Sequence, residues 1–189
     1  MNILLLDNYD SFTFNLAHYL RELTGRDIPV IRNDRIGLDE IGGYDAIVLS
    51  PGPGLPSDAG IMEELIRVYA PNKKIFGVCL GMQAIGETFG GTLLNLPSVY
   101  HGVATPATVT VSDESLFAGL PRTFPVGRYH SWVVDENRLP DDLQVTAVDG
   151  EGRIMALRHK RFDVRGVQFH PESVLTPDGK QMIRNWLKS

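Results

Sequence analysis

The chain has 189 residues, 43% hydrophobic and 22% charged, with a net charge of −5. That is an ordinary soluble composition, long enough to bury a core as a single domain over 1–189, and the negative balance argues against nucleic-acid binding, which needs a basic face. One cysteine excludes an internal disulfide and fits a reducing, cytoplasmic setting. The opening Met1–Asp7 carries no basic leader or cleavage site and is too short an apolar run to cross a membrane.

Taken in order, Ile3 to Leu6 is a continuous apolar run, the pattern of a central parallel strand covered on both faces. Asp10 or Ser11 is placed to cap a helix running to about Leu23, with Leu16, Tyr19, Leu20 and Leu23 on one face and Gly25 as its stop. Pro29–Arg32 and Tyr44–Leu49 read as the next two strands. Ser50-Pro51-Gly52-Pro53-Gly54 then breaks regular structure, and a helix follows from about Ile61 to Tyr69. Ile75–Val78 is a fourth apolar strand, and Met82–Phe89 is helical. Alternating β and α over the first 90 residues predicts an α/β fold, a mostly parallel central sheet flanked by helices.

Beyond Gly90-Gly91 the texture changes. Thr92–Leu94, Ala107–Val111, Phe124–Tyr129, Ser131–Val134, Gln144–Val148, Ile154–Arg158 and Val164–Phe169 read as short strands between turn residues. They predict an added antiparallel or mixed sheet. A last helix, Gly179–Leu187, presents Met182, Ile183, Trp186 and Leu187 as its apolar face.

Chemistry concentrates at Gly77-Val78-Cys79-Leu80-Gly81. A strand, a Gly-x-nucleophile-x-Gly turn and a helix form a nucleophile elbow, here with cysteine as the nucleophile. The helix N-terminus, with its free N–H groups and partial positive charge, favours thiolate. The plain alternative is a buried, inert cysteine acting as a small hydrophobe.

A thiol nucleophile needs a base and a group to orient that base. Of the five histidines, His18 falls in a helical pattern, His101 and His159 lie among strand residues, and His130 is placed to line a site. His170 is the strongest candidate: it ends an apolar strand and precedes Pro171, which keeps it out of the helical region. In an extended segment His170 and Glu172 share a side, so the carboxylate can orient the ring as the acid of a catalytic triad does. Read as metal ligands, these two are too few for a site. For an oxyanion, the Leu80 N–H is the usual elbow donor, and the Pro-Gly loop is a source of a second.

Together the segments Asp7-Asn8-Tyr9-Asp10-Ser11-Phe12, Ser50-Pro51-Gly52-Pro53-Gly54, Gly77-Val78-Cys79-Leu80-Gly81, Tyr129-His130-Ser131 and Gln168-Phe169-His170-Pro171-Glu172-Ser173 resemble the class I, triad-type glutamine amidotransferases over nearly the whole chain. Within that family the small subunits of anthranilate synthase and aminodeoxychorismate synthase are most similar. The resemblance implies that Cys79 attacks the side-chain amide of L-glutamine, that His170 and Glu172 complete the triad, and that Gly52, Pro53, Gly54, Leu80, Gln83, Ser131 and Trp132 contact the substrate. It implies no cofactor in this subunit. Because no segment resembles a chorismate- or ATP-binding domain, it also implies a separate chorismate-binding synthase large subunit that receives the ammonia. Two positions depart from the family pattern: Met82, where many relatives carry His, and Trp132, where many carry Leu. The competing readings are a partner-independent cysteine hydrolase on a similar fold and a non-catalytic regulatory subunit.

Overall fold

The computed structural model describes all residues from Met1 to Ser189. The first half alternates as the hydrophobic pattern requires: β1 (Ile3–Asp7), α1 (Thr13–Thr24), β2 (Val30–Arg32), α2 (Leu38–Ile41), β3 (Ala46–Leu49), α3 (Met62–Tyr69), β4 (Lys74–Val78) and α4 (Leu80–Thr88). Then come β5 (Leu93–Asn95), β6 (Val103–Val109), β7 (Thr123–Arg128), β8 (Trp132–Val134), β9 (Leu143–Val148), β10 (Ile154–His159), β11 (Val164–Val167) and α5 (Gly179–Lys188). Nine strands form one sheet in the order β2-β1-β3-β4-β11-β10-β9-β6-β7.

The strands from β2 to β11 are parallel, and those from β10 outward are antiparallel. Most of the added antiparallel strands therefore continue the parallel sheet. Only β5 and β8 make a small separate sheet.

Period-two alternation sorts the apolar runs onto the two faces. In β1, Ile3 and Leu5 join a core of 24 buried residues with α1 and α5, while Leu4 and Leu6 join one of 21 with α3 and α4. In β3, Ala46 and Val48 face the first core and Ile47 and Leu49 the second. Both faces are covered, which is why these strands read as unbroken apolar runs. On α5, Met182, Ile183 and Trp186 are buried and Leu187 packs against them.

Three local expectations shift. The first helix starts at Thr13, with Phe12 at the cap position and no side-chain cap; Asp10 instead accepts the Phe12 N–H at 2.8 Å in the turn leading in. Its end falls where expected, at Gly25 with φ 66°. The four-residue α2 has too little apolar pattern to announce itself; Glu40 supports it by accepting the Gly37 N–H at 3.0 Å. Strand β6 begins at Val103, upstream of the expected Ala107, because its pairing with β7 continues through Pro106 opposite Pro125.

Candidate active site

Strands β4 and β11 are parallel neighbours in register, Val78 opposite Val167. The ladder continues one step further, the Cys79 N–H donating to Val167 O at 2.8 Å. Cys79 and the segment Gln168–Glu172 thus emerge side by side at the carboxyl ends of the strands, where open α/β sheets form their sites.

The elbow is tight. Cys79 has φ 52° and ψ −102°, a region that costs a non-glycine residue on the order of 1–3 kcal/mol. Two close approaches fix it. A Cβ on Gly77 would lie 2.5 Å from the Gly81 backbone, and one on Gly81 would lie 2.7 Å from Leu49. The glycines let α4 sit directly on β3 and β4. The Leu80 N–H, in the first turn of α4, has no partner within the helix.

His170 Nδ1 lies 2.7 Å from Glu172 Oε1, with both side chains buried. The two are joined across a turn, not along a strand, since the Ser173 N–H folds back to His170 O at 3.2 Å. Thr176 ties the turn down: its hydroxyl donates to His170 O at 2.7 Å and accepts the Gly127 N–H at 2.9 Å. Burial disfavours the imidazolium, but the Cys79 sulfur and the Glu172 carboxylate outweigh it and push the His170 pKa up to about 10. Nε2, the ring atom opposite the Glu172 contact, is buried and has no other polar partner. Burial also raises the Glu172 carboxyl, opposed by its hydrogen bond to His170. Phe12 and Tyr129 enclose the ring, with centroids 5.1 and 4.8 Å away.

A cleft of about 270 Å³ opens in front of Cys79, lined by Gly52, Pro53, Gly54, Gln83, Ser131 and Trp132 among others. It lies just below the range of drug-sized pockets and suits a smaller ligand. Leu80 is not among the lining residues, its side chain being buried in the core. A larger cavity of about 750 Å³ lies by the Val109–Arg122 segment, where the one buried acid, Glu114, is already paired with Arg158 and Arg165.

The Pro-Gly loop is pinned from behind. Asn8 donates its N–H to Ser50 Oγ and its side-chain amide to Ser50 O, both at 2.8 Å. The close approach at Gly52 is to protein: a Cβ there would lie 2.7 Å from Asn8 and from Leu80 Cδ2. Gly54 takes φ 74°, which glycine adopts freely.

The description "Glutamine amidotransferase class-I" belongs to the family profile that matches residues 4–189. The chain belongs to the class I glutamine amidotransferases. Among its relatives, the amidotransferase is 46% identical over 187 residues to aminodeoxychorismate synthase component 2 of Escherichia coli (strain K12), covering 98% of each chain. It is 44% identical over 192 residues to anthranilate synthase beta subunit 1, chloroplastic, of Oryza sativa subsp. japonica, where 98% of this chain spans 66% of that protein. The crystal structure of a GMP synthase component from Thermoplasma acidophilum matches with a TM-score of 0.87 at 29% identity over 98% of this chain and 92% of that one.

The two family departures sit differently in this amidotransferase. Met82 is fully buried between α4 and β11, against Gly166, and does not line the cleft. Trp132 does line it, but its carbonyl already accepts Gln83 Nε2 at 2.9 Å and His130 Nδ1 at 3.0 Å. The Ser131 carbonyl accepts the Leu96 N–H at 2.7 Å. His130 is the histidine whose surroundings the sequence does not reveal. Its Nε2 accepts from Arg128 Nε at 3.1 Å, and burial, reinforced by the Arg128 charge, pushes its pKa down to about 3. It is neutral at neutral pH and a poor base, with both ring nitrogens already engaged. Arg128 is itself buried, 2.7 Å from Asp149 and stacked 3.6 Å from the Tyr100 ring centroid. Of the other histidines, His18 is exposed on α1, His101 lies exposed at the cleft, and His159 is buried against Phe89 and Phe162. No helix is long and apolar enough to cross a membrane.

Proposed function

We propose that this chain is the glutamine-hydrolysing subunit of an anthranilate synthase, with the same role in an aminodeoxychorismate synthase as the second reading that the Escherichia coli relative favours. The observation that carries it is the pairing of a strained cysteine with a buried histidine–glutamate couple at one small cleft.

The Cys79 thiolate attacks the side-chain amide carbon of glutamine. The developing oxyanion takes N–H bonds from Leu80 and the Gly52–Gly54 loop. The His170 imidazolium gives its Nε2 proton to the amide nitrogen, the C–N bond breaks, ammonia leaves, and a γ-glutamyl thioester remains. Water then gives a proton to His170 and its oxygen to the thioester carbon. The C–S bond breaks, releasing glutamate and regenerating the thiolate. Glu172 holds the ring and its positive charge throughout. Every group in these steps belongs to the chain or the substrate, so no cofactor is called for.

The ammonia passes to a chorismate-using synthase chain in a hetero-oligomer. Supporting this, the relatives are named as a beta subunit of anthranilate synthase and component 2 of aminodeoxychorismate synthase. We place the complex in the cytoplasm, where the lone thiol stays reduced.

The test is Cys79→Ala in the complex with its synthase chain. Glutamine-dependent product should disappear while ammonia-dependent product persists, and the product formed, anthranilate or 4-amino-4-deoxychorismate, distinguishes the two readings. Glutamine-dependent activity that survives the substitution removes Cys79 as the nucleophile.

A further inference from the structure

Gln168 is fully buried one residue beyond the last paired position of β11, beside Cys79. Its Nε2 lies 3.5 Å from the Cys79 sulfur. Its Oε1 accepts Gln83 Nε2 at 3.2 Å. Gln83 in turn donates from the same nitrogen to Trp132 O at 2.9 Å.

The direction of this chain is fixed at one end. A backbone carbonyl only accepts, so Gln83 presents its NH2 group to Trp132 and, with the second hydrogen, to Gln168. Gln168 must then turn its oxygen towards Gln83 and its NH2 towards the sulfur. Each bond polarises the next, and all of them deliver N–H at Sγ.

A neutral thiol is a weak acceptor, and a buried amide is costly unless its hydrogens are well used. A thiolate is a charged acceptor, and hydrogen bonds to charged groups are worth about twice a neutral one. As packing alone, an apolar side chain of the same volume would fill the site without that cost.

We propose that Gln168 is a further catalytic residue, whose amide N–H, oriented by Gln83, holds the Cys79 sulfur as a thiolate aimed at the cleft. The proton that leaves sulfur resides on His170 Nε2, so the anion rests between an imidazolium and an amide donor. Gln83 lines the cleft as well, so the residue that meets substrate also sets the group that meets the nucleophile. The inference rests on Cys79 being the nucleophile of the proposed reaction.

The experiment uses Gln168→Met, which keeps volume and loses the donor. Cys79 is the only cysteine, so iodoacetamide alkylation reads its sulfur without needing glutamine. Alkylation at pH 7 should slow roughly tenfold and its pH profile should move to higher pH. In the complex, glutamine-dependent kcat should fall roughly 10- to 100-fold, the loss expected for a hydrogen bond to a charged group. KM should stay within about threefold, and ammonia-dependent synthesis should be unchanged.

An alkylation profile that superimposes on wild type overturns the proposal, as does a raised KM with kcat intact. A shifted alkylation profile in a chain that hydrolyses no glutamine would sink the proposed function and leave the role of Gln168 standing. If Gln168→Met does not fold, Gln83→Leu releases the Gln168 amide without touching the sulfur. A roughly threefold slower alkylation is then expected, and an unchanged rate overturns the relay.

Discussion

The strain at Cys79 has a thermodynamic signature that needs no substrate. Comparing Cys79→Gly with Cys79→Ala isolates the backbone, because both variants lack the sulfur and its contacts with Gln168 and His170. At an ordinary buried position glycine is the worse of the two. It adds roughly 0.5–1 kcal/mol of unfolded-chain entropy and forfeits about 0.8 kcal/mol for a buried methyl, so it should trail by roughly 1.5 kcal/mol. At φ 52°, ψ −102° alanine keeps the backbone strain and glycine does not, which returns on the order of 1–3 kcal/mol. Glycine should therefore lie between about 0.5 kcal/mol below alanine and about 1.5 kcal/mol above it. For a chain of 189 residues, 1 kcal/mol corresponds to roughly 2–4 °C in Tm. Scanning calorimetry of the two variants should give Cys79→Gly a Tm no more than about 2 °C below that of Cys79→Ala, or above it. A Tm roughly 3–6 °C lower would mean that the elbow stores no strain.

Gly179 opens α5 directly under the triad turn, and a Cβ there would lie 1.8 Å from Pro171 O. Gly179→Ala must displace one or the other. It should cost about 1–3 kcal/mol or more, read by urea unfolding, and should lower glutamine turnover more than ammonia use; a variant of wild-type stability and activity would refute the packing. The neutral, buried His130 predicts an acid weakness. Its folded pKa of about 3 lies below its ordinary 6.5, so between those values the unfolded chain binds a proton that the folded one refuses. Stability is full above pH 6.5 and falls as pH drops towards 3, by a few kcal/mol at most. His170, with its folded pKa raised to about 10, is protonated in both states below pH 6.5 and adds nothing to this slope. Denaturant titrations from pH 7 to 4 should show a slope smaller by about one proton in His130→Gln than in wild type, and equal slopes would count against the assignment.

Much of the fold could be read from local pattern because the pattern is physical. A parallel strand covered on both faces has to be apolar at consecutive positions, and Ile3–Leu6 and Ala46–Leu49 are. Gly77 and Gly81 mark the elbow because strand, turn and helix approach more closely than a Cβ allows. Pro171 marks the turn that carries His170 beyond the end of β11. The α2 turn and the early start of β6 escaped notice, since four residues carry no periodicity and a strand containing proline reads as a break.

What local pattern cannot carry is register. Cys79 and Gln168 lie 89 residues apart, and nothing near either names the other. Only the pairing of Val78 with Val167 makes them neighbours. A glutamine before Phe-His-Pro-Glu is ordinary until a parallel strand sets a thiol beside it. His130 likewise looks like a free imidazole until Arg128, held by Asp149 and Tyr100, occupies its Nε2. The elbow and the His-Pro-Glu turn are local solutions to steric problems, so they leave marks in sequence. The polar relay that aims hydrogens at the sulfur is a product of sheet topology, and its members become visible only as donors and acceptors whose directions must agree.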